Sequence, residues 1–249
     1  ITQRLYSGDR DMRIRQEIVL GIGGIRALRA LGYADLQTVH LNEGHAGFVL
    51  IELIAEAQRQ GECYEQALAC VRKSAVFTTH TPVAAGHDRF DHALLLYYLG
   101  PWWRDTIGFS DDELVSLGGD GSFSMTELAL NLSRAANAVS AKHGEVTRQM
   151  FPAYSIGSIT NGVHHVTWTG TRCAALYDQA LPGWRENAEQ LRQVWRISPD
   201  DLVAAHALAK RDLLKAISTS SAHASFQEHV LTFGFARRMA GYKRAALLF

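Results

Sequence analysis

Four groups of polar residues each come directly after a segment with strand character. They are Asn42-Glu43-Gly44-His45, Thr79-His80-Thr81-Pro82, Thr160-Asn161-Gly162 and Arg237-Arg238. Amide, carboxylate and imidazole groups together can orient the hydroxyls of a sugar through paired donors and acceptors. Guanidinium groups match the oxygens of a phosphate. In an open α/β sheet, ligands bind just beyond the carboxyl ends of the strands. The four groups therefore have the composition of one distributed site for a sugar and a phosphate.

Each group also has a plainer reading. Asn42 can cap a helix with His45 in its first turn. His40 and His45 are five apart, a poor spacing for two ligands on one helix face, so no metal is expected there. Pro82 disfavours helical geometry at Thr81 and keeps the chain extended past the strand. That exposes His80 and its carbonyl, although an imidazole bonded to backbone would fit the same pattern. His87-Asp88 reads either as a supporting pair or as a turn. Asn161-Gly162 is a common turn pair with no chemistry of its own. Trp168 can lie against a flat cofactor or fill a core. Arg237-Arg238, with Lys243 and Arg244, reads as a phosphate site at a helix N-terminus entered through Gly241, or as a solvated basic edge.

The elements that must position these residues follow from periodicity. Asp9-Arg10-Asp11 can cap a helix running to about Leu31, with Ile14, Ile18, Ile22, Ile25 and Leu28 on one face and Gly32 as its stop. Gly21-Ile22-Gly23-Gly24 within it is no dinucleotide loop. The third glycine of the pattern would fall on Arg26, and no strand precedes it. A mid-helix glycine is unfavourable by about 1 kcal/mol relative to Ala, so close backbone packing is its expected reason. Strands are expected at Leu36–Leu41, Ala75–Thr78, Ser155–Thr160 and His229–Phe235. Helices are expected near 46–60, 63–73, 89–99, 111–117, 184–195 and 198–220. The stretch 125–150 has Leu128, Leu132, Ala135, Val139 and Val146 on one side, a helical pattern. Alternation of strands and helices predicts an α/β fold with parallel sheet.

Composition sets the bounds. The chain has 249 residues, 47% of them hydrophobic, which supports one large or two smaller domains. Its 25 basic and 25 acidic residues balance, so nothing points to nucleic acid or an anionic membrane surface. No apolar run of about 18 residues predicts a membrane span. Cys63, Cys70 and Cys173 are an odd, scattered set that fits a reducing cytoplasm. Cys63 and Cys70, two helical turns apart, are expected to pack on one face. The chain begins at Ile1 and stops at Phe249 just after Tyr242-Lys243, so it is read as an internal piece of a longer protein.

In order and spacing, several segments resemble the α-glucan (glycogen/maltodextrin) phosphorylases, in their shorter bacterial branch. They are Arg13-Ile14-Arg15-Gln16-Glu17, Val39 to His45, Phe77 to Pro82, His143-Gly144-Glu145-Val146, Ile159 to His164 and Arg237 to Arg244. The resemblance implies two Rossmann-like domains of a GT-B type glycosyltransferase, both incomplete here. Residues 1–160 would be the later part of the first domain and 161–249 the start of the second. It implies phosphorolysis of terminal α-1,4-glucosidic bonds to α-glucose 1-phosphate with retention. Pyridoxal 5′-phosphate would supply acid–base chemistry through its phosphate, and the complete protein would be cytoplasmic and could form a homodimer.

The resemblance also implies roles. His80 would touch the glucosyl 6-hydroxyl, and its carbonyl would stabilise positive charge at the anomeric carbon. Asn42, Glu43, His45 and Asn161 would line the glucosyl site. Arg237 and Trp168 would face the cofactor. Arg238 would face the substrate phosphate, and Lys243 would hold the two phosphates close. Three cations offset phosphate repulsion in a water-poor cleft. The sequence departs from the longer relatives at Glu43-Gly44, where they carry Asp-Thr, and at Ala240-Gly241, where they carry His-Glu. None of Lys73, Lys142, Lys210 or Lys215 stands in the cofactor-lysine motif, which is expected downstream. This chain alone should therefore form no Schiff base and show no activity. A cofactor band fixed by borohydride to one of those lysines would overturn that. Two other classes compete: a nucleotide-sugar glycosyltransferase of the same architecture, and a carbohydrate-binding module using Trp102-Trp103, which Pro101 makes read as a turn over a core edge.

Overall fold

The computed structural model describes residues 1, 9–220, 226–237 and 243–248, without the side chains of 219 and 220. The chain divides into two compact units, Ile1–Asn161 and Gly162–Phe249.

The first unit is built on a parallel sheet. Strand β1 (Val39–Asn42) lies beside β2 (Ala75–Thr79). A short antiparallel pair follows, β3 (Arg89–Phe90) with β4 (Phe123–Ser124). Strands β5 (Ala135–Ala138) and β6 (Gly157–Ser158) then extend the parallel sheet in the order β1-β2-β5-β6. Val39 stands opposite Ala75, Thr78 opposite Asn137 and Ala138 opposite Ser158. All four strands run the same way, so their carboxyl ends share one edge of the sheet.

Helices α1 (Arg10–Ile18) and α2 (Gly24–Ala30) are joined by a π-helical turn at Val19–Gly23. Asp9 caps α1, its Oδ1 accepting from the Met12 N–H at 2.9 Å. A Cβ at Gly21 would stand 2.7 Å from the Val49 nitrogen and 2.8 Å from the Phe48 carbonyl carbon. Backbone packing against helix α3 (Phe48–Arg59) is thus the reason for glycine there, as the sequence predicts. Helix α3 is the hub of the core: Phe48, Leu50, Ile51 and Ile54 are fully buried, with Leu41 of β1 and Phe77 of β2. Phe48 stacks on Phe90 at 6.5 Å and on Phe123 at 6.1 Å, which ties the antiparallel pair to the hub. Helix α4 (Tyr64–Ser74) leads into β2, and α5 (His92–Trp102) and α6 (Asp111–Ser116) fill the excursion between β3 and β4. Helices α7 (Met125–Asn131) and α8 (Ala141–Met150) flank β5.

The second unit, among its described residues, is helical: α9 (His165–Trp168), α10 (Thr171–Ala180), a 3-10 segment at Ala188–Arg196 and α11 (Pro199–Ser220). Its core is small, formed by Ala174, Leu181, Trp184 and Ile197. Asp178 accepts from the Trp184 indole at 2.9 Å and pairs with Arg185 at 2.8 Å. No described helix is long and apolar enough to cross a membrane.

Several expectations need correction. The stretch 125–150 is not one helix, because β5 interrupts it. Ala135 to Ala138 are small enough to sit between β2 and β6, and tertiary pairing overrides their helical pattern. The strand expected at Leu36–Leu41 begins three residues later and ends one residue later, at Val39–Asn42. His229–Phe235 forms no strand. Leu231 and Phe233 are exposed, and no described strand of the second unit offers a partner. Pro101 lies inside α5 rather than in a turn. Trp103 is nonetheless fully buried, its indole donating to the Ser110 carbonyl at 2.8 Å. Cys63 and Cys70 are exposed thiols and do not pack together into the core.

Candidate active site

Three of the four polar groups stand where the sequence places them, at the carboxyl ends of parallel strands. Asn42 ends β1 and is exposed, and His80 follows β2 and is exposed. Asn161 lies beyond β6 and is also exposed; its N–H donates to the Val139 carbonyl at 3.1 Å, just past β5. Imidazole and amide groups 81 residues apart in sequence therefore gather on one edge of one sheet.

Glu43 holds that edge together. Its backbone is left-handed (φ 69°, ψ 174°), a conformation that L residues other than glycine rarely adopt. The return for this strain is visible. The Glu43 N–H donates to the Thr78 carbonyl at 2.9 Å, extending β1–β2 pairing by one residue. The side chain turns inward and is buried. Its Oε1 accepts from the His80 N–H and from the Thr79 hydroxyl at 3.3 Å. Gly44 and Gly47 follow because α7 packs on them: a Cβ on Gly44 would stand 3.1 Å from that of Met125. Glu43 thus grips the backbone of His80 from behind, and this arrangement differs from a direct lining role.

The loop after His80 is held from below. Buried His87 bridges the Thr126 hydroxyl, 2.8 Å from Nδ1, and the Thr81 carbonyl, 3.2 Å from Nε2. Burial pushes its imidazole below the usual range, so it works as a neutral bridge. Deeper in the sheet, a ladder crosses three strands. His40 Nε2 meets the Thr78 hydroxyl at 2.8 Å, and that hydroxyl donates to Asn137 Oδ1 at 2.9 Å.

His45 belongs to a second cluster that joins the loop after β1 to α1 and to Asp88. Arg13 Nη2 pairs with Asp88 Oδ2 at 2.9 Å and bears on His45 Nδ1, and Arg13 Nε lies 3.3 Å from Glu17 Oε1. His45 Nδ1 lies 3.2 Å from Asp88 and 3.4 Å from Glu17. Burial pushes the Glu17 carboxyl up to about 8. At Asp88, burial acts upward, but hydrogen bonds from His45, Glu17 and Arg13 outweigh it and hold the carboxyl well below the usual range. Asp88 and Glu17 draw the His45 imidazole up, to about 9, while Arg13 on the same nitrogen opposes a proton there. Glu17, His45 and Asp88 have the spacing of a metal triad, but the Arg13 guanidinium already fills its centre.

The role of Arg13, Glu17 and Asp88 is not legible in the polar groups alone. One signal was present. Glu17 falls on the apolar stripe of α1 beside Ile14 and Ile18, and it sits one turn after Arg13.

The phosphate side is less complete. Arg237 is exposed on a stretch without regular structure, because the expected strand before it does not form. Arg238 lies outside the described residues, as does Gly241. Lys243 is half-buried. Trp168 ends α9 and is 78% exposed, so it fills no core. Lys142 pairs with Glu145 at 2.8 Å on the surface, and Lys210 donates to the Val230 carbonyl.

Comparison with known proteins finds phosphorylases. Maltodextrin phosphorylase of Thermococcus litoralis is 38% identical over 274 residues, taking in the whole chain and 32% of that protein. The chain is similar along its whole length to glycogen and maltodextrin phosphorylases. Glycogen phosphorylase of Mycobacterium tuberculosis is 37% identical over the whole chain and 33% of its own length. Glycogen phosphorylase of Aquifex aeolicus is 32% identical over the whole chain and 40% of its own length. The chain thus spans about a third to two-fifths of these phosphorylases. No protein-family model matches it.

Proposed function

We propose that this chain supplies the glucosyl wall of an α-1,4-glucan phosphorylase. The complete protein would cleave terminal bonds of glycogen or maltodextrin with inorganic phosphate and release α-glucose 1-phosphate with retention. The observation that carries the reading is the gathering of Asn42, His80 and Asn161 at one sheet edge, in a chain similar along its whole length to phosphorylases.

In this reading the His80 imidazole and the Asn161 amide bond sugar hydroxyls, and Asn42 extends the same wall. The His80 carbonyl faces the anomeric carbon. Glu43 and His45 act behind the wall and fix it. Residues 1–160 belong to the first Rossmann-like domain and 161–249 open the second. Arg237, Arg238 and Lys243 supply the positive charge for phosphate. Pyridoxal phosphate is the cofactor that the resemblance implies.

His80→Ala removes one directional bond to the glucosyl unit. A hydrogen bond to substrate is worth roughly 1–3 kcal/mol when its loss strands a partner, so kcat/KM for phosphorolysis should fall about 10- to 100-fold. The assay is phosphate-dependent release of glucose 1-phosphate from maltodextrin by the complete protein. Release of free glucose, or transfer from a nucleotide sugar without phosphate, would overturn the reading.

A further inference from the structure

Arg13 stands one turn before Glu17 on α1, and one edge of its guanidinium meets groups from three elements. Nε and Nη2 both donate to Asp88 Oδ2, at 3.1 and 2.9 Å. Nη2 also meets His45 Nδ1 at 2.5 Å, and Nε lies 3.3 Å from Glu17 Oε1. His45 belongs to the 3-10 turn Gly44–Ala46 that follows β1. Asp88 closes the loop that follows β2. The guanidinium is therefore bonded to both loops that carry the strand-edge groups. Its side chain is 18% exposed and that of Glu17 is 1% exposed, so salt and water screen this cluster less than a surface pair.

Each loop carries this anchor to residue 80 over a short path. One residue before Asp88 is His87, which bridges the Thr81 carbonyl and the Thr126 hydroxyl. The Asp88 carbonyl accepts from the Met125 N–H at 3.1 Å, which fixes the same loop to α7. A Cβ at Gly86 would stand 2.4 Å from Thr81 Cγ2, so the loop is folded tightly on itself. Two residues before His45 is Glu43, whose carboxylate accepts from the His80 N–H. Without the guanidinium, Asp88 and Glu17 would be two carboxylates facing a single imidazole. Removing one partner from a part-buried ion cluster leaves charge uncompensated, and the loop bearing Asp88 is the element free to move away.

We propose that Arg13 is a positioning residue: its guanidinium sets the separation between the loop after β1 and the loop after β2, and with it the place of His80 beside Asn42. The effect on phosphorolysis rests on the function proposed above; the hold on the two loops does not. The fork matters as well as the charge. Lysine keeps the charge but brings one compact ammonium to a place where Nε and Nη2 donate in different directions. Arg29 supplies an internal comparison. It pairs with Glu56 at 2.9 Å at similar exposure, but it ties α2 to α3.

The test uses the complete protein with Arg13→Lys, Arg13→Ala or Arg29→Ala. Hydrogen exchange at the His80 amide reads the loops directly. Both Arg13 variants should speed it at least about tenfold, and Arg29→Ala should leave it unchanged. In phosphorolysis, Arg13→Lys should lower kcat about 10- to 100-fold with KM changed less than about threefold, while Arg29→Ala should change neither. Adding Asp88→Ala to Arg13→Ala should lower kcat no further than the worse single change, because both break one link. Unchanged exchange at His80 in Arg13→Lys, or equal speeding in Arg29→Ala, overturns the proposal and leaves Arg13 a structural ion pair. Faster exchange with wild-type kcat, or additive losses in the double variant, also overturns it. A wild-type protein without phosphorolysis, but with the exchange difference intact, counts against the proposed function alone.

Discussion

Replacing Glu43 with Ala should lower kcat/KM for phosphorolysis about 100-fold and destabilise the first unit by roughly 2–4 kcal/mol. The stability term comes from the backbone N–H of His80 and the hydroxyl of Thr79, which lose their acceptor inside the protein. Each stranded donor is unfavourable by about 1–3 kcal/mol, and a bond to a charged acceptor is at the upper end. The activity term comes from placement. His80 sits at the end of β2 with its side chain outward, and only its backbone is held. A shift of about 1 Å in a positioning element can reduce rate by about 100-fold. A companion variant separates the two roles of this residue. Glu43→Gly also removes the carboxylate but accepts φ 69° without strain, so it should be more stable than Ala by about 1–2 kcal/mol. Urea unfolding and steady-state kinetics on the pair check both numbers. Equal stability of the two variants would mean that the left-handed backbone stores no strain.

Gly21→Ala should destabilise the first unit by about 3 kcal/mol or more, although helix propensity alone points the other way. Alanine is favoured over glycine in a helix by about 1 kcal/mol. Against this stands a methyl group 2.7 Å from the Val49 nitrogen and 2.9 Å from the Phe48 Cβ. The nearest of these atoms belong to the backbone of α3, so no rotamer change relieves the contact, and α1 must move away from the hub. Overpacking in a well-filled core is unfavourable by about 1–3 kcal/mol even where side chains can adjust. The helix that moves is the one carrying Arg13 and Glu17, so the variant should also disturb the His45 cluster. Thermal unfolding gives the direct measurement; a Tm equal to or above that of the parent would show that α3 yields.

The features most legible in the sequence were those written in local chemistry. Pro82 after Thr79-His80-Thr81 implied an extended, outward residue at 80, and the structure has one. The glycine run at 21–24 failed the dinucleotide pattern, and close packing explains Gly21. What was hidden depended on partners distant in sequence. Ala135 to Ala138 carry no β-branched residue, and only the vacant place between β2 and β6 makes them a strand. The reverse holds at His229–Phe235, where alternation is good but no described neighbour offers hydrogen bonds. Glu43 was readable as an acid near sugar, but its inward turn comes from a backbone angle that residue identity does not announce. Asp88 was noted beside His87, but its link to Arg13, 75 positions earlier, exists only in three dimensions.

The excursion between β2 and β5 leaves and returns through a single antiparallel pair, with Arg89 opposite Ser124 and Phe90 opposite Phe123. Its two ends are therefore clamped side by side, and the entropy of closing what lies between them grows only slowly with length. Residues could be added at an exposed turn of the 91–122 span, such as Asp120-Gly121, without altering the spacing of the parallel strands, whereas Leu95, Leu99, Trp103 and Leu114 are buried in the core. That turn is a natural place for evolution, or an engineer, to graft new surface while leaving the scaffold beneath untouched.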